Sequence, residues 1–264
     1  GVGGAGLDVD EVFRTTRHEG TASGVTNTVV NGIDLSGEGG LVWVKSMDNT
    51  STSDTYGHIL FDTERGTNSI LRTQISSAAS TSGYSLQFNN NGWQSGGGWD
   101  GISNSSTSFG SPYVSWTFRK APKFFDIVTY TGNGSNRSIA HSLDSVPGMI
   151  IIKRLDNNNP WVIYHRSMGN AGFATFTTDG YAAVSNAFNN TSPTSTHFTL
   201  GTRDDVNNNG NTYVAYLFAH NNSDGDFGPN ADQDIIKCGD YTGTGTLNEI
   251  NHGFEPQFII VKRT

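Results

Sequence analysis

The chain is 264 residues long, carries a formal net charge of −8, and combines 15% charged residues with 33 glycines and 11% aromatics. An acidic balance without a basic run argues against nucleic-acid binding, which needs lysine and arginine against phosphate. No apolar stretch approaches the roughly 18 residues of a membrane span, and aromatics this frequent with charge this sparse are not the composition of a disordered tail.

Residues 1–11 form a lead-in. Gly1–Gly6 lacks the charged and apolar segments of a signal peptide, and an opening Gly rather than Met suggests a start inside a longer polypeptide. Helical periodicity is absent, because glycines and Ser-Thr-Asn clusters interrupt nearly every window. Strands are expected near Val12–Thr16, Thr28–Ile33, Gly40–Ser46, His58–Thr63, Ser69–Gln74, Ser85–Phe88 and Tyr113–Arg119. A second set is expected near Asp126–Thr131, Ser138–His141, Met149–Arg154, Trp161–His165, Ala174–Thr177, Phe198–Thr202 and Thr212–Phe218.

The two sets are copies. Leu41-Val-Trp-Val-Lys45 recurs as Ile150-Ile-Ile-Lys153 and as Phe258-Ile-Ile-Val-Lys262, so that the lysines stand 108 and 109 residues apart. His18-Glu-Gly20, Tyr130-Thr-Gly132 and Tyr241-Thr-Gly243 keep nearly that step, as do Asn31-Gly-Ile-Asp34, His141-Ser-Leu-Asp144 and His252-Gly-Phe-Glu255. Tyr113-Val-Ser-Trp-Thr-Phe118 and Tyr213-Val-Ala-Tyr-Leu-Phe218 match as closing strands. Three markers in one order at one period define a tandem array of a module of about 110 residues.

The expected fold is all-β: tandem antiparallel β-sandwich repeats, 12–122 and 123–233, and the start of a third, incomplete repeat at 234–264. Periodicity leaves jelly-roll and immunoglobulin-type connections both open. Lys120-Ala-Pro-Lys-Phe-Phe125 reads as a short, stiff connector, and an acidic linker (220–233) precedes the third repeat. That repeat supplies about three strands, including Phe258–Val261, too few to close a sandwich. They are expected to be ordered only by further chain or by a strand from another subunit.

Asp224, Asp226, Asp232 and Asp234 fall within 11 residues, among glycines that allow tight turns. Such a loop can offer calcium carboxylate and carbonyl oxygens, but EF-hand spacing and its closing glutamate are missing, so a mobile hinge is preferred. Asp204–Gly210 reads as a hairpin loop. Trp93-Gln-Ser-Gly-Gly-Gly-Trp99 reads as a loop whose two indoles either face a sugar ring, with Gln94 and Asp100 as hydrogen-bond partners, or fold back as a lid on the sandwich end. Trp43, Trp116 and Trp161 read as core. Asp62 and Glu64 have the spacing of a strand-borne carboxylate pair, yet the second copy has His165 and Ser167 there, so an exposed strand face is expected. No G-x-S-x-G elbow or P-loop is present. No catalytic residue is assigned. Cys238, the single cysteine, excludes an internal disulfide and a cysteine metal site, and reads as a small buried apolar residue.

Asn31–Lys45, His58–Gly66, Arg119–Gly132, Val146–Lys153 and Asp232–Gly243 resemble segments of tail-fibre-like virion proteins of marine and freshwater bacteriophages, cyanophages included. The resemblance spans most of the chain from Val12 onward. It implies a structural virion protein exposed on the tail, extracellular, with lectin-like (jelly-roll or concanavalin-like) sandwiches. It further implies self-association as a homotrimer or filament, other virion tail proteins and a host cell-surface glycan as partners, and no established catalytic residues. Other readings are a subunit of a bacterial extracellular filament or adhesin, and a glycan-degrading tailspike.

Overall fold

The computed structural model describes residues 6–22, 24–47, 57–81, 83, 85–96, 112–177 and 179–264. Among them the chain is all-β and antiparallel, with helix limited to the single turns α1 (Val9–Val12) and α2 (Asp204–Asn207). In chain order the first half contributes β1 (Phe13–Glu19), β2 (Asn27–Val30), β3 (Gly40–Ser46), β4 (Ile59–Asp62), β5 (Leu71–Arg72), β6 (Ser85–Asn89), β7 (Gly92–Gly96) and β8 (Pro112–Arg119). The second contributes β9 (Phe125–Thr131), β10 (Arg137–Ala140), β11 (Met149–Arg154), β12 (Val162–His165), β13 (Gly169–Ala174), β14 (His197–Leu200) and β15 (Thr212–Phe218).

Each half has one five-stranded sheet, ordered β1-β8-β3-β4-β5 in the first and β9-β15-β11-β12-β13 in the second. Register corresponds as well as order. Leu41, Trp43 and Lys45 face Phe118, Trp116 and Val114, while Met149, Ile151 and Lys153 face Phe218, Tyr216 and Val214. A smaller sheet accompanies each: β2-β7-β6 in the first half, β10-β14 in the second.

Both large sheets are buried on both faces, which is why Leu41–Val44 and Ile150–Ile152 read as unbroken apolar runs. Val42, Val44, Ile59, Phe61 and Tyr113 pack on Val29, Leu86 and Trp93 from the small sheet. Ile150, Ile152, Tyr213 and Leu217 pack likewise on Ile139, Phe198 and Leu200. The remaining faces meet each other. Leu41, Trp43, Leu60 and Phe118 share one cluster with Ile151, Trp161, Tyr216 and Phe218, so that the halves close a common central seam. The corresponding residues Phe118 and Phe218 touch there, with ring centroids 5.6 Å apart.

Several expectations are corrected. In the connector at Lys120–Phe125, Phe124 and Phe125 are buried in the seam. Residues from Asp204 form a helical turn rather than a hairpin loop. β13 begins at Gly169 instead of Ala174, because the turn after His165 feeds straight into pairing across a β-bulge. Trp93 lies in β7, not a loop. The Asn-rich run ending at Gly92 makes a two-residue hairpin, with Asn89 paired to Gly92. Gly92 has φ +144°, and a Cβ there would lie 2.1 Å from the Val29 carbonyl oxygen, so only glycine admits the close approach of β2.

Residues 234–264, expected to be ordered as strands only by further chain or by a strand from another subunit, hold no named strand. Ile235 and Ile236 donate their amides to Asn221 Oδ1, and Cys238 is buried beside Gly148. Phe258 lies among Phe13, Trp43, Trp116 and Phe118. Between these anchors the chain is extended and largely exposed.

Candidate functional site

The repeated lysine is structural. Lys45 Nζ donates to the Ser46 carbonyl at 2.8 Å, and Lys153 Nζ donates to the Arg154 carbonyl at 2.7 Å, the same bond in both halves. Burial, helped by the Arg154 charge, pushes the Lys153 amine down to about 8. The third marker, Lys262, instead reaches across to the Asp179 carbonyl at 2.6 Å.

The acidic junction does not gather its carboxylates. Asp224 Oδ1 accepts from the Asn222 amide, Asp226 pairs with Lys123 at 2.7 Å, and Asp232 is exposed. Asp234 accepts from the Ser223 and Gly225 amides at 2.7 and 3.0 Å. Although burial opposes it, these bonds hold its carboxyl below the usual range. No group of three or more potential ligands of the His, Cys, Asp or Glu type converges among the described residues. Nor is the junction a free hinge: Phe227 is buried in the central seam, and the Gly228 amide donates to the Leu7 carbonyl.

The tryptophan segment is also corrected. Trp93 is fully buried, its ring edge-on to Phe61 and to His18, both with centroids 5.3 Å away. It is core and presents no face to a ligand. A strand alternates its side chains, so Gln94 points the other way, where it accepts from the Thr28 hydroxyl. Trp99 and Asp100 lie outside the described residues. Trp43 and Trp161 are core as expected, while Trp116 is only partly buried.

Asp62 and Glu64 separate completely. Glu64 takes Lys120 at 2.8 Å near the surface. Asp62 is fully buried inside the seam, not on an exposed face. It accepts from Arg65 Nε at 2.6 Å and, across the seam, from the Tyr216 hydroxyl at 2.7 Å. Arg65 also donates to Ser69 Oγ and the Leu60 carbonyl, so its fork is satisfied on every side. Burial opposes the guanidinium, but the Asp62 charge, together with Tyr216 and the bond to Asp62, holds Arg65 above its ordinary value. Burial raises the Tyr216 phenol well above 10. Asp62-x-x-Arg65 is a visible signal in the sequence, whereas Tyr216, 154 positions away, carries none.

Other bonds knit the seam's rim. Trp161 Nε1 donates to the Arg72 carbonyl at 3.0 Å, the Ala79 amide to the Leu155 carbonyl, and the Ala78 amide to Asn158 Oδ1. The histidines near the cores serve packing too. Burial lowers His18 and His58 to about 4, and neutral His58 accepts from Trp43 Nε1 through Nδ1 at 2.9 Å. Cys238 is buried, as its sequence position suggests, which pushes its thiol up to about 12. At the surface, Glu38, Thr63, Glu64, Gln87 and Phe88 line an open groove of about 550 Å³. It offers carboxylate, hydroxyl and amide groups beside an aromatic wall.

The matched stretch of residues 8–264 takes in both halves and the tail. The chain belongs to the family described as Domain of unknown function (DUF7483). No curated protein and no solved structure matches it.

Proposed function

We propose that the chain is a non-catalytic structural component of a phage tail fibre or spike, exposed on the tail of the virion, and that it contributes to attachment at a host-surface glycan. Each half is read as an antiparallel two-sheet sandwich of lectin-like, jelly-roll or concanavalin-like type, and the array as tandem repeats. The observation that carries this reading is the seam. Two modules of matching strand order bury corresponding faces against each other around Asp62, Arg65 and Tyr216, an arrangement that transmits load from module to module. The sequence resemblance supplies the virion setting. The groove beside Phe88 is the surface we assign to sugar hydroxyls, since Trp93 is committed to the core. The reading gives the acidic junction a joining role and assigns it no ion.

Labelling particles with an antibody fragment raised against residues 1–264 tests the assignment by electron microscopy. Label on the tail is expected; label on the capsid alone, or none on intact particles, overturns it. The exposed tail strap favours a second reading, a subunit of an extracellular filament or adhesin, for which label would follow cell-surface fibres. Reducing-end release from host polysaccharide would instead move the assignment to a glycan-degrading tailspike.

A further inference from the structure

The loops on either side of β14 build a second recess, in the half of the chain that the groove beside Phe88 does not touch. Asn159, Asn186, Thr202, Arg203, Asp204 and Asp205 line an open space of about 410 Å³. Its base is fixed. Asp205 is buried, with Oδ1 accepting from Asn159 Nδ2 at 2.6 Å and Oδ2 paired with Arg203 Nε at 2.6 Å. The Arg203 guanidinium also lies over the Phe173 ring, 4.8 Å from its centroid, so two partners hold it. The backbone around it is equally constrained. The Gly201 amide donates to the Ala187 carbonyl and the Arg203 amide to the Asn186 carbonyl. A Cβ on Gly201 would fall 2.1 Å from the Asn186 carbonyl oxygen, so glycine is what lets the two loops touch. Beneath them, fully buried Asn207 donates through Nδ2 to the Gly201 and Ser135 carbonyls at 2.8 and 2.7 Å.

Groups with uncommitted bonding capacity stand on this base. The terminal nitrogens of Arg203 donate to no described residue, and its side chain is 32% exposed. The Thr202 hydroxyl, the Asn186 amide and the Asp204 carboxylate are exposed, and none of them bonds a described residue. An arginine anchored through Nε and its ring face, with its terminal fork open, is already oriented to donate and loses little freedom on binding.

We propose that this recess binds a neutral sugar through two adjacent hydroxyls, one accepting from the Arg203 fork and the other donating to Asp204, with Asn186 and Thr202 bonding neighbouring oxygens. The inference rests on the glycan-attachment reading above and adds to it a site in the second half. Hydroxyls suit the mixture, since each both donates and accepts. Charge opposes an acidic sugar. One guanidinium meets two carboxylates along the lining. Of the cations behind it, Lys153 is committed to the Arg154 and Asn157 carbonyls and Arg154 to Asp156. An anion entering beside Asp204 is therefore repelled. Phe173 is buried beneath Arg203 and offers no stacking face. Hydrogen bonds alone carry the affinity, and a Kd on the order of a millimolar is expected.

The test titrates the isotope-labelled chain with methyl α-mannopyranoside, methyl α-galactopyranoside and methyl α-glucopyranoside to about 100 mM, read by NMR at the side-chain N–H groups of Asn159, Asn186 and Arg203. At least one of the three should give saturable shifts there, and sodium glucuronate should bind about fivefold more weakly. Asn186→Ala and Thr202→Val alter exposed side chains, so each should weaken binding by about three- to tenfold with an unchanged melting midpoint. Asp204→Asn removes the repelling charge and should bring glucuronate up to the level of the neutral sugar. The inference is overturned if none of the three glycosides gives saturable shifts at Arg203, if neither Asn186→Ala nor Thr202→Val weakens binding, or if glucuronate binds the parent as tightly as the glycosides. Arg203→Met deletes the fork directly and should abolish the shifts. Because it strands buried Asp205, a variant that fails to fold leaves the decision to Asn186 and Thr202. Saturable shifts at Gln87 and Phe88 alone uphold the groove and overturn the recess. Shifts at Arg203 uphold the recess even where tail labelling fails, so the two readings fall separately.

Discussion

Tyr216→Phe isolates a buried polar bond that crosses the seam. The phenyl ring remains, so no cavity opens, and Asp62 keeps its partner Arg65; only the hydroxyl that donates to Asp62 Oδ2 at 2.7 Å is removed. A hydrogen bond to a charged acceptor contributes about 1.5–3 kcal/mol, which is the expected loss. Tyr216→Ala adds a cavity in a fully buried site and should cost about 3–5 kcal/mol. Arg65→Met strands the Asp62 carboxylate and belongs in the range of about 3–5 kcal/mol. Urea unfolding at pH 7, followed by tryptophan fluorescence and far-UV circular dichroism, measures all three. Since the halves share one core, the probes should report a single transition. pH supplies an independent check. The Tyr216 phenol is raised in the folded chain, so stability is fully present below about pH 10 and declines above it, as the unfolded phenol ionises first. The phenylalanine variant lacks the Tyr216 share of that decline, and its deficit should narrow above pH 10. A Tyr216→Phe change within about 0.5 kcal/mol of the parent would refute the bridging role.

Trp93→Ala should cost about 3–5 kcal/mol in the same assay, because the indole is core; a stable variant that loses only glycan binding would restore the platform reading. Acid should weaken the fold. His18 and His58 lie near 4 in the folded chain, chiefly through burial, so the stability they contribute is present above pH 6.5 and lost as pH falls toward 4. The slope reaches at most about 1.4 kcal/mol per pH unit for each, less for His58 where solvent screens it, and flat stability between pH 7 and 4 would reject the assignment. EDTA should leave the melting midpoint unchanged, since Asp226 is held by Lys123 and Asp234 by two amides. A midpoint that drops with EDTA and returns with calcium would show an ion at the junction.

Most strand positions were legible in the sequence, because they are local. Alternation and turn residues place Gly40–Ser46 and Thr212–Phe218 in strands without reference to any distant residue. Alternation also says which side chains share a face, but not what that face meets. Only the tertiary structure decided that the faces bearing Trp43 and Ile151 close on each other, and that Asp62, read as exposed, is neutralised by Arg65 and bridged by Tyr216. Among the candidate sites, the aspartate spacing and the two tryptophans were visible, yet their directions were not. Trp93 turns inward because the hairpin at Asn89–Gly92 makes its segment a strand, and the junction carboxylates diverge because Asp224, Asp226 and Asp234 have nearer partners. The tail shows the limit most plainly. Phe258–Val261 repeats the pattern of a buried strand, but a strand exists only when its backbone groups find a partner, and that partner lies elsewhere in the fold rather than in the segment's own residues.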